Sequence, residues 1–544
     1  MDFNNKSDIS DLTSHDSSHK DDASASSRMK DGQMGNICRH DIDVRDFTEN
    51  HKNDDNNDDI LSLNSAEIVS AYYNVGQVDS NENGELDQMS KLEKIDTARS
   101  ARIIVEEIPD KFSGWGLTSV IGCFFFNFNT WGANSAFALY LQEYLKENTF
   151  QGGNKYDYAI VGGLAFGAGS TFSPIINFFI GKTGLKLMIL LGSLINFAGI
   201  ILASFSVKLW QIYCTQGVLS GIGMAMVCLP TFNILPQWFK GGPGGKRNLA
   251  MGIQAAGSGA GGIVYNIGMQ PLMNNRSFRW SLRAQAIMCL GLNLVGLLLV
   301  KSRNAQIKPV FKIYDRLIWR NFGCLCLIVW IMFTLLGYVV LMYNLGDFTR
   351  SLGYTSQQAS IVSTMVPVGI IYGRPTIGYI ADKIGPVNVT IIASWLVSLF
   401  TWSMWIPCRN YATAIVFAMF VGSLMGTIWL TLSGINASIT GLKKFGIAMS
   451  VSMVSTGVFG FVSPIIGMAL KRKGPSRPDQ YEPTAIFTGL CYFMAGSVLV
   501  LVRGYLIARN AKIDHKARNS EDDILKIDVP FKEIIRNLFS YGKV

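Results

Sequence analysis

The chain has 544 residues and a formal net charge of +9, but the charge is unevenly divided: residues 1–112 carry 25 acidic against 12 basic side chains, and the remainder 14 against 36. A segment of net charge −13 therefore precedes a body of +22, and apolar runs of about 20 residues recur through that body from Leu117 to Leu506, each enough to cross roughly 30 Å of hydrocarbon. That pattern excludes a soluble enzyme. All five histidines (His15, His19, His40, His51, His515) fall in the terminal segments and the nine cysteines form no spaced framework, so no metal, no cofactor and no histidine proton relay is expected in the apolar body.

Taken in chain order, residues 1–112 are rich in Asp, Asn and Ser, as in the run Asp54 to Asp59. Too few large apolar residues are present to offset ordering entropy. This part is predicted to be a disordered, acidic, cytoplasmic tail. Its charge argues against nucleic acid as a partner. It reads first as an inert solvated segment and second as a place for cytoplasmic partners.

Twelve spanning helices are predicted, over about 117–141, 158–180, 187–206, 210–236, 249–272, 281–300, 322–345, 358–380, 387–407, 411–434, 446–470 and 484–506. The longest internal connection, Lys301 to Arg320, holds six bases and one acid, Asp315. The expected organisation is an N-terminal six-helix bundle (113–300), a basic central loop (301–320), a C-terminal six-helix bundle (321–508) and a cytoplasmic tail (509–544). The fold class is an all-α membrane protein, and its lipid bilayer is a partner by necessity. An even number of spans puts both termini on one side. The modest excess of loop bases places that side in the cytoplasm, in the plasma or vacuolar membrane.

A shift of 201 residues superposes Pro174 on Pro375, Lys182 on Lys383, Gly184 on Gly385, Gly221 on Gly422 and Met224 on Met425. Such a parallel repeat is transporter architecture. In the second half the stretch Gly378 to Gly385 places Asp382 beside Lys383 before a glycine turn, so its charges can pair with a neighbouring helix and hold one end closed. Gly378, Asp382, Lys383 and Gly385 are the gating candidates. The spacing resembles the loop motif of the major facilitator superfamily, and in the first half Gly181 stands where the Asp would be.

A second resemblance covers about residues 109–508. Pro109-Asp110 followed by Gly114-Trp115-Gly116, the stretch Asn129 to Ser135, and Gly373-Arg374-Pro375 are similar to the monocarboxylate porter family, specifically its fungal homologues. Lys111 and Phe112 look inserted, and Leu117 stands where a second Trp is usual. The resemblance implies solute translocation by rocking of two bundles. Proton-coupled members of that family supply a Lys on the first helix and an Asp one turn before the Arg on the eighth; here Ser135 and Ile370 occupy those positions. Two ionisable parts of a proton-plus-carboxylate mechanism are absent, so facilitated movement is expected instead of proton-coupled lactate transport. The fungal branch also includes riboflavin carriers.

Arg374 is, with Arg283 and Arg503, one of three charged residues within the predicted spans. A lone cation there costs at least ~2.5 kcal/mol unless it meets a partner or water. It is predicted either to bind an anionic or carbonyl group of a solute or to bond backbone carbonyls near Pro375. Further substrate-binding candidates are Asn129, Asn134, Tyr265, Asn266, Tyr338 and Trp429, with Gln254 and Tyr343. For each of these the alternative is an interhelical hydrogen bond or aromatic packing. The glycine run Gly257 to Gly262 reads as close helix packing and not as a phosphate loop, since no strand precedes it. The function expected is a secondary carrier of a small organic solute, a carboxylate or a planar vitamin-like compound. A riboflavin-type facilitator and a nutrient sensor built on a carrier fold, signalling through the acidic tail, stand as alternatives.

Overall fold

The computed structural model describes residues 108–146, 150, 152–242, 244–303, 312–441, 444–472, 477–515, 525–538 and 540. These belong to one compact unit, Asp96–Val544. The acidic tail up to residue 107, residues 304–311 of the central loop, and the expectations attached to both lie outside the described residues, as does Lys443.

Among the described residues twelve helical rods form two six-helix bundles. The first bundle holds α1 (residues 114–146), α2 (residues 155–183), α3 (Leu185–Phe205), α4 (Leu209–Gln237), α5 (Arg247–Asn275) and α6 (Phe278–Leu299). The second holds α7 (Phe322–Ser351), α8 (Ser356–Ile384), α9 (Pro386–Trp405), α10 (Tyr411–Thr440), α11 (Phe445–Leu470) and α12 (Glu482–His515). Local chemistry explains the breaks. Pro174, which lacks an N–H, opens the second segment of α2, and the two segments meet at 50°. Gly184 (φ 85°) and Gly385 (φ 96°) end α2 and α8 in the left-handed region and start the next helix at once. Thr355 and Gln358 form a reciprocal capping box at the start of α8.

The repeat seen at an offset of 201 is physical. A Cβ on Gly221 would lie 2.5 Å from the Ala165 carbonyl oxygen, and one on Gly422 would lie 2.5 Å from that of Val366; each contact maps onto the other at the same offset. Both glycines let α4 or α10 touch the backbone of α2 or α8.

Eight of the twelve rods are apolar and long enough by themselves to cross a membrane, and α2 qualifies as a bent pair. The exceptions, α1, α5 and α8, are those that meet at the centre. Gly257 of α5 packs on the Phe124 carbonyl of α1, and Gly261 on Phe128 and Gly132; Gly252 and Gly259 pack on the backbone of α8 at Arg374 and Pro367. The glycine run is thus a two-sided packing surface. Helices covered by protein on both sides need less apolar character than helices facing lipid.

Two expectations about extent are corrected. The first span runs to Lys146, and α12 continues past residue 508 to His515. The last segment is no free tail either. A short helix, Phe531–Arg536, returns to α12, where Arg503 donates to the carbonyls of Leu538 (2.8 Å) and Ser540 (2.6 Å) and Lys512 pairs with Glu533 at 2.9 Å. Polar composition suggested a tail, whereas these docking partners are distant in sequence.

Gly221→Ala and Gly422→Ala are each expected to lower the thermal midpoint by several degrees, because a methyl cannot fit without parting the helices (about 1–3 kcal/mol). Gly268→Ala and Gly291→Ala, where nothing lies within 4 Å of the new methyl, should be neutral or slightly stabilising. Thermal unfolding followed by intrinsic fluorescence checks both.

Candidate functional site

Of the three charged side chains on α8, Arg374 and Asp382 reach α5. At its C-terminal end, the Asp382 carboxylate accepts from the backbone N–H groups of Asn248 (2.9 Å) and Leu249 (2.8 Å) and from the Asn248 amide (2.9 Å). These are the unpaired donors of the first turn of α5, so a carboxylate on one bundle caps a helix N-terminus on the other, where the dipole also favours negative charge. Gly378 brings the helices close enough, since a Cβ there would collide with the Asn248 carbonyl. Gly385 makes the turn that follows, and Lys383 lies over the Tyr379 ring at 4.4 Å. The α4–α5 connection is itself pinned by Asp110, whose Oδ1 accepts from the N–H groups of Lys240 and Lys246.

The matching seam between α2 and α11 lacks this clasp. Gly181 supplies no carboxylate, and the fully buried Asn177 amide, which lies against Gly446 in the first turn of α11, has no hydrogen-bond partner. The arrangement can therefore act as a one-sided polar latch.

Farther along α8, Arg374 is 3% exposed. One guanidinium nitrogen, Nη1, donates to the Ala255 carbonyl and the Ser258 hydroxyl of α5, both at 2.7 Å. The Nε–Nη2 edge faces the break in α10 at Gly426, where a Cβ would stand 2.7 Å from Nη2; Nε has no partner. The Tyr338 phenol also faces the guanidinium. Beside it four rings from both bundles meet: Trp131 of α1 lies 5.3 Å from Trp429 of α10 and 5.1 Å from Phe166 of α2, and Tyr338 of α7 lies 6.4 Å from Trp429. Arg374, Tyr338 and Trp429 thus come together as one group.

The other candidates sit elsewhere. Tyr265 donates to Asn129 (2.8 Å), whose amide donates to Asn293 of α6 (2.9 Å); this is a buried tie between α1, α5 and α6. Asn266 bonds Ser135 (3.3 Å) and the Gly262 carbonyl (2.6 Å). Gln254 donates to Thr231 of α4, and Tyr343 is half exposed. Asn134 lines a separate cavity inside the first bundle. The sequence reading passed over Trp131, Phe166, Ser258 and Gly426 as site residues. Trp131 lay within the Asn129 to Ser135 motif, but a Trp or Gly on an apolar helix gives no sign of which face it occupies.

Comparison with known proteins agrees with this architecture. A family model described as the Major Facilitator Superfamily matches residues 120–343 and again residues 325–542. The chain belongs to the major facilitator superfamily. Among relatives, it is 42% identical over 443 residues to the "Probable transporter MCH2" of Saccharomyces cerevisiae, covering 80% of this chain and 92% of that one. It is 32% identical over 415 residues to the "Uncharacterized transporter ESBP6" of the same yeast, covering 73% and 60%. Of solved structures, the proton:xylose symporter XylE superposes with a TM-score of 0.54 at 12% identity, over 71% of this chain and 94% of that one. FucP, in the outward conformation, gives 0.52 at 12%, over 71% and 98%. These two likenesses establish the fold. As a superfamily member the chain is a secondary transporter and not an enzyme.

Asp382→Asn keeps the shape of the latch and removes its charge. Loss of charge-assisted bonding of about 2 kcal/mol should speed amide hydrogen exchange in the first turn of α5 about tenfold or more, read by mass spectrometry on peptides spanning residues 245–252, with exchange at the start of α11 unchanged.

Proposed function

We propose that this transporter carries a small organic solute of the monocarboxylate-porter kind by alternating access, and that Arg374 holds an acceptor group of that solute. The observation that carries the proposal is the unpartnered Nε of a buried guanidinium that has no carboxylate partner and stands beside a cluster of rings contributed by both bundles. A buried cation without a counter-charge favours a ligand that supplies one, or a strong carbonyl acceptor. Because Arg374 is anchored to α5 through Nη1, its other edge is pre-oriented, and a solute bound there touches α8, α10 and the aromatic cluster at once. The latch of Gly378, Asp382, Lys383 and Gly385 would then close one end while the solute is held.

Proton-coupled lactate movement is disfavoured on this reading. Ser135 is engaged with the Gly132 carbonyl and Asn266, and Ile370 is a buried apolar residue, so neither supplies the titratable group that such coupling needs. The ring cluster of Trp131, Phe166, Tyr338 and Trp429 favours a planar solute, which supports a riboflavin-type facilitator as the second reading. Cytoplasmic termini, a plasma or vacuolar membrane, and bundles that begin at about residues 113 and 321, the second ending with α12, complete the proposal.

In reconstituted vesicles, Arg374→Ala is expected to reduce uptake of a transported solute at least tenfold at equal protein content, and Gly426→Ala, whose methyl meets the guanidinium, to raise KM. Equal uptake by native protein and Arg374→Ala refutes the assignment. Imposed pH gradients should change the initial rate by less than twofold; strong acceleration by an inward proton gradient would show that the coupling proposal is wrong.

A further inference from the structure

The first bundle contains a cavity of its own, away from Arg374. Together with its opening to solvent it comprises about 430 Å³ of space free of protein atoms, and it is lined by α1, α2, α3, α4 and α6. The residues that give it chemical character are Asn134, Asn196, Gln216, Ser220, Tyr140 and Gln285. All are neutral.

Their hydrogen bonds are incompletely used. Asn196 is 4% exposed; its oxygen accepts from Ser220 at 3.3 Å, and its amide N–H₂ has no partner in the protein. Gln216 is 8% exposed; its oxygen accepts from Tyr144 at 3.0 Å, which again leaves the N–H₂ group unengaged. The Asn134 side chain, half-buried on the wall from α1, makes no hydrogen bond to the protein. Tyr140 and Gln285, by contrast, bond each other at 2.7 Å and are already committed. Unengaged groups on three different helices are therefore mainly donors, and they converge on one space. Buried donors of this kind call for a partner.

The backbone points to the same place. α1 and α4 are each interrupted by a π-turn, at Phe128–Gly132 and Tyr213–Leu219. The first carries Asn129 and Thr130 and the second Gln216, all three on the cavity wall. A π-turn costs regular helical bonding and rotates the side chains that follow it, and such turns recur at functional sites. Two of them bordering one polar cavity is a built feature. An adjoining cavity shares Ala165 and Met224 with it and is lined in turn by Trp131 and Phe166 of the ring cluster.

We infer that this cavity is a second binding site, for a neutral ring compound bearing carbonyl oxygens, held by the amide donors of Asn134, Asn196 and Gln216. No charged side chain lines it, so a carboxylate would lose its hydration without gaining a counter-charge, whereas carbonyl oxygens match the unengaged N–H groups. The site does not depend on Arg374, and the two can fail separately.

The test is equilibrium dialysis of the purified full-length chain in detergent against radiolabelled uracil, nicotinamide and succinimide, with benzoate as the charged comparison. Saturable binding of at least one neutral probe is expected, weakened tenfold or more by Gln216→Leu and by Asn134→Leu and unchanged by Arg374→Ala. Benzoate should show the reverse pattern if the Arg374 reading also holds. Gln216→Leu removes a bond to Tyr144 and could disturb folding; Asn134→Leu removes no bond within the protein, so it decides the matter if the first variant is lost. Absence of saturable binding by all three neutral probes, or unchanged affinity in Asn134→Leu, overturns the inference, and the cavity then holds water only.

Discussion

The seam between α5 and α8 governs the rest of the molecule. Gly252, Gly259 and Gly378 remove side chains where the two backbones would otherwise collide, and at that separation Asp382 and Arg374 of α8 reach main-chain groups of α5. Both are buried, so neither charge can turn to water. Asp382 meets N–H donors at the start of α5, and Arg374, about 12 Å away along the helix by its rise of 1.5 Å per residue, meets a carbonyl and a hydroxyl. Each sign finds the complementary end of the peptide group. The helix that bears the charges is thereby fixed to the opposite bundle at two heights.

The other seam is built from the same close approach without the charges. Gly167 of α2 and Gly457 of α11 lie back to back, but Gly181 gives no carboxylate and Asn177 is left without a partner. At the start of α11 the ion pair is instead local, Lys444 with Asp315 at 3.1 Å, both outside the first bundle. A polar clasp on one seam and packing alone on the other give the two bundles unequal attachments, so parting of the bundles at this end is resisted mainly along α5 and α8.

Between the seams the chemistry is almost entirely neutral. Rings close the centre, one guanidinium edge stands beside them, and the first bundle holds amides with unengaged donors. Such a lining discriminates by shape and by placement of hydrogen-bond acceptors instead of by net charge, and it leaves few groups able to pass a proton. On the proposed reading, specificity resides in geometry, in the break of α10 that makes room for Arg374 and in the π-turns of α1 and α4.

Much of the fold was legible in the sequence. Lipid demands apolar runs of fixed length and satisfied backbones, and glycine turns such as Gly184 and Gly385 must appear where a left-handed residue is needed; both leave marks at one position or at a constant period. The offset of 201 residues, the Asp382 motif and the isolation of Arg374 were read on those grounds. The partners could not be read. That Asp382 caps α5, that Tyr338 and Trp429 join Arg374 while Asn129 and Tyr265 tie helices together, and that Gln216 and Asn196 face one cavity depend on which side of each helix is turned inward. On helices that are apolar all round, periodicity does not specify that side. It is set by where glycines let two backbones touch, and that is a property of pairs of helices distant in sequence, decided only when the bundles pack.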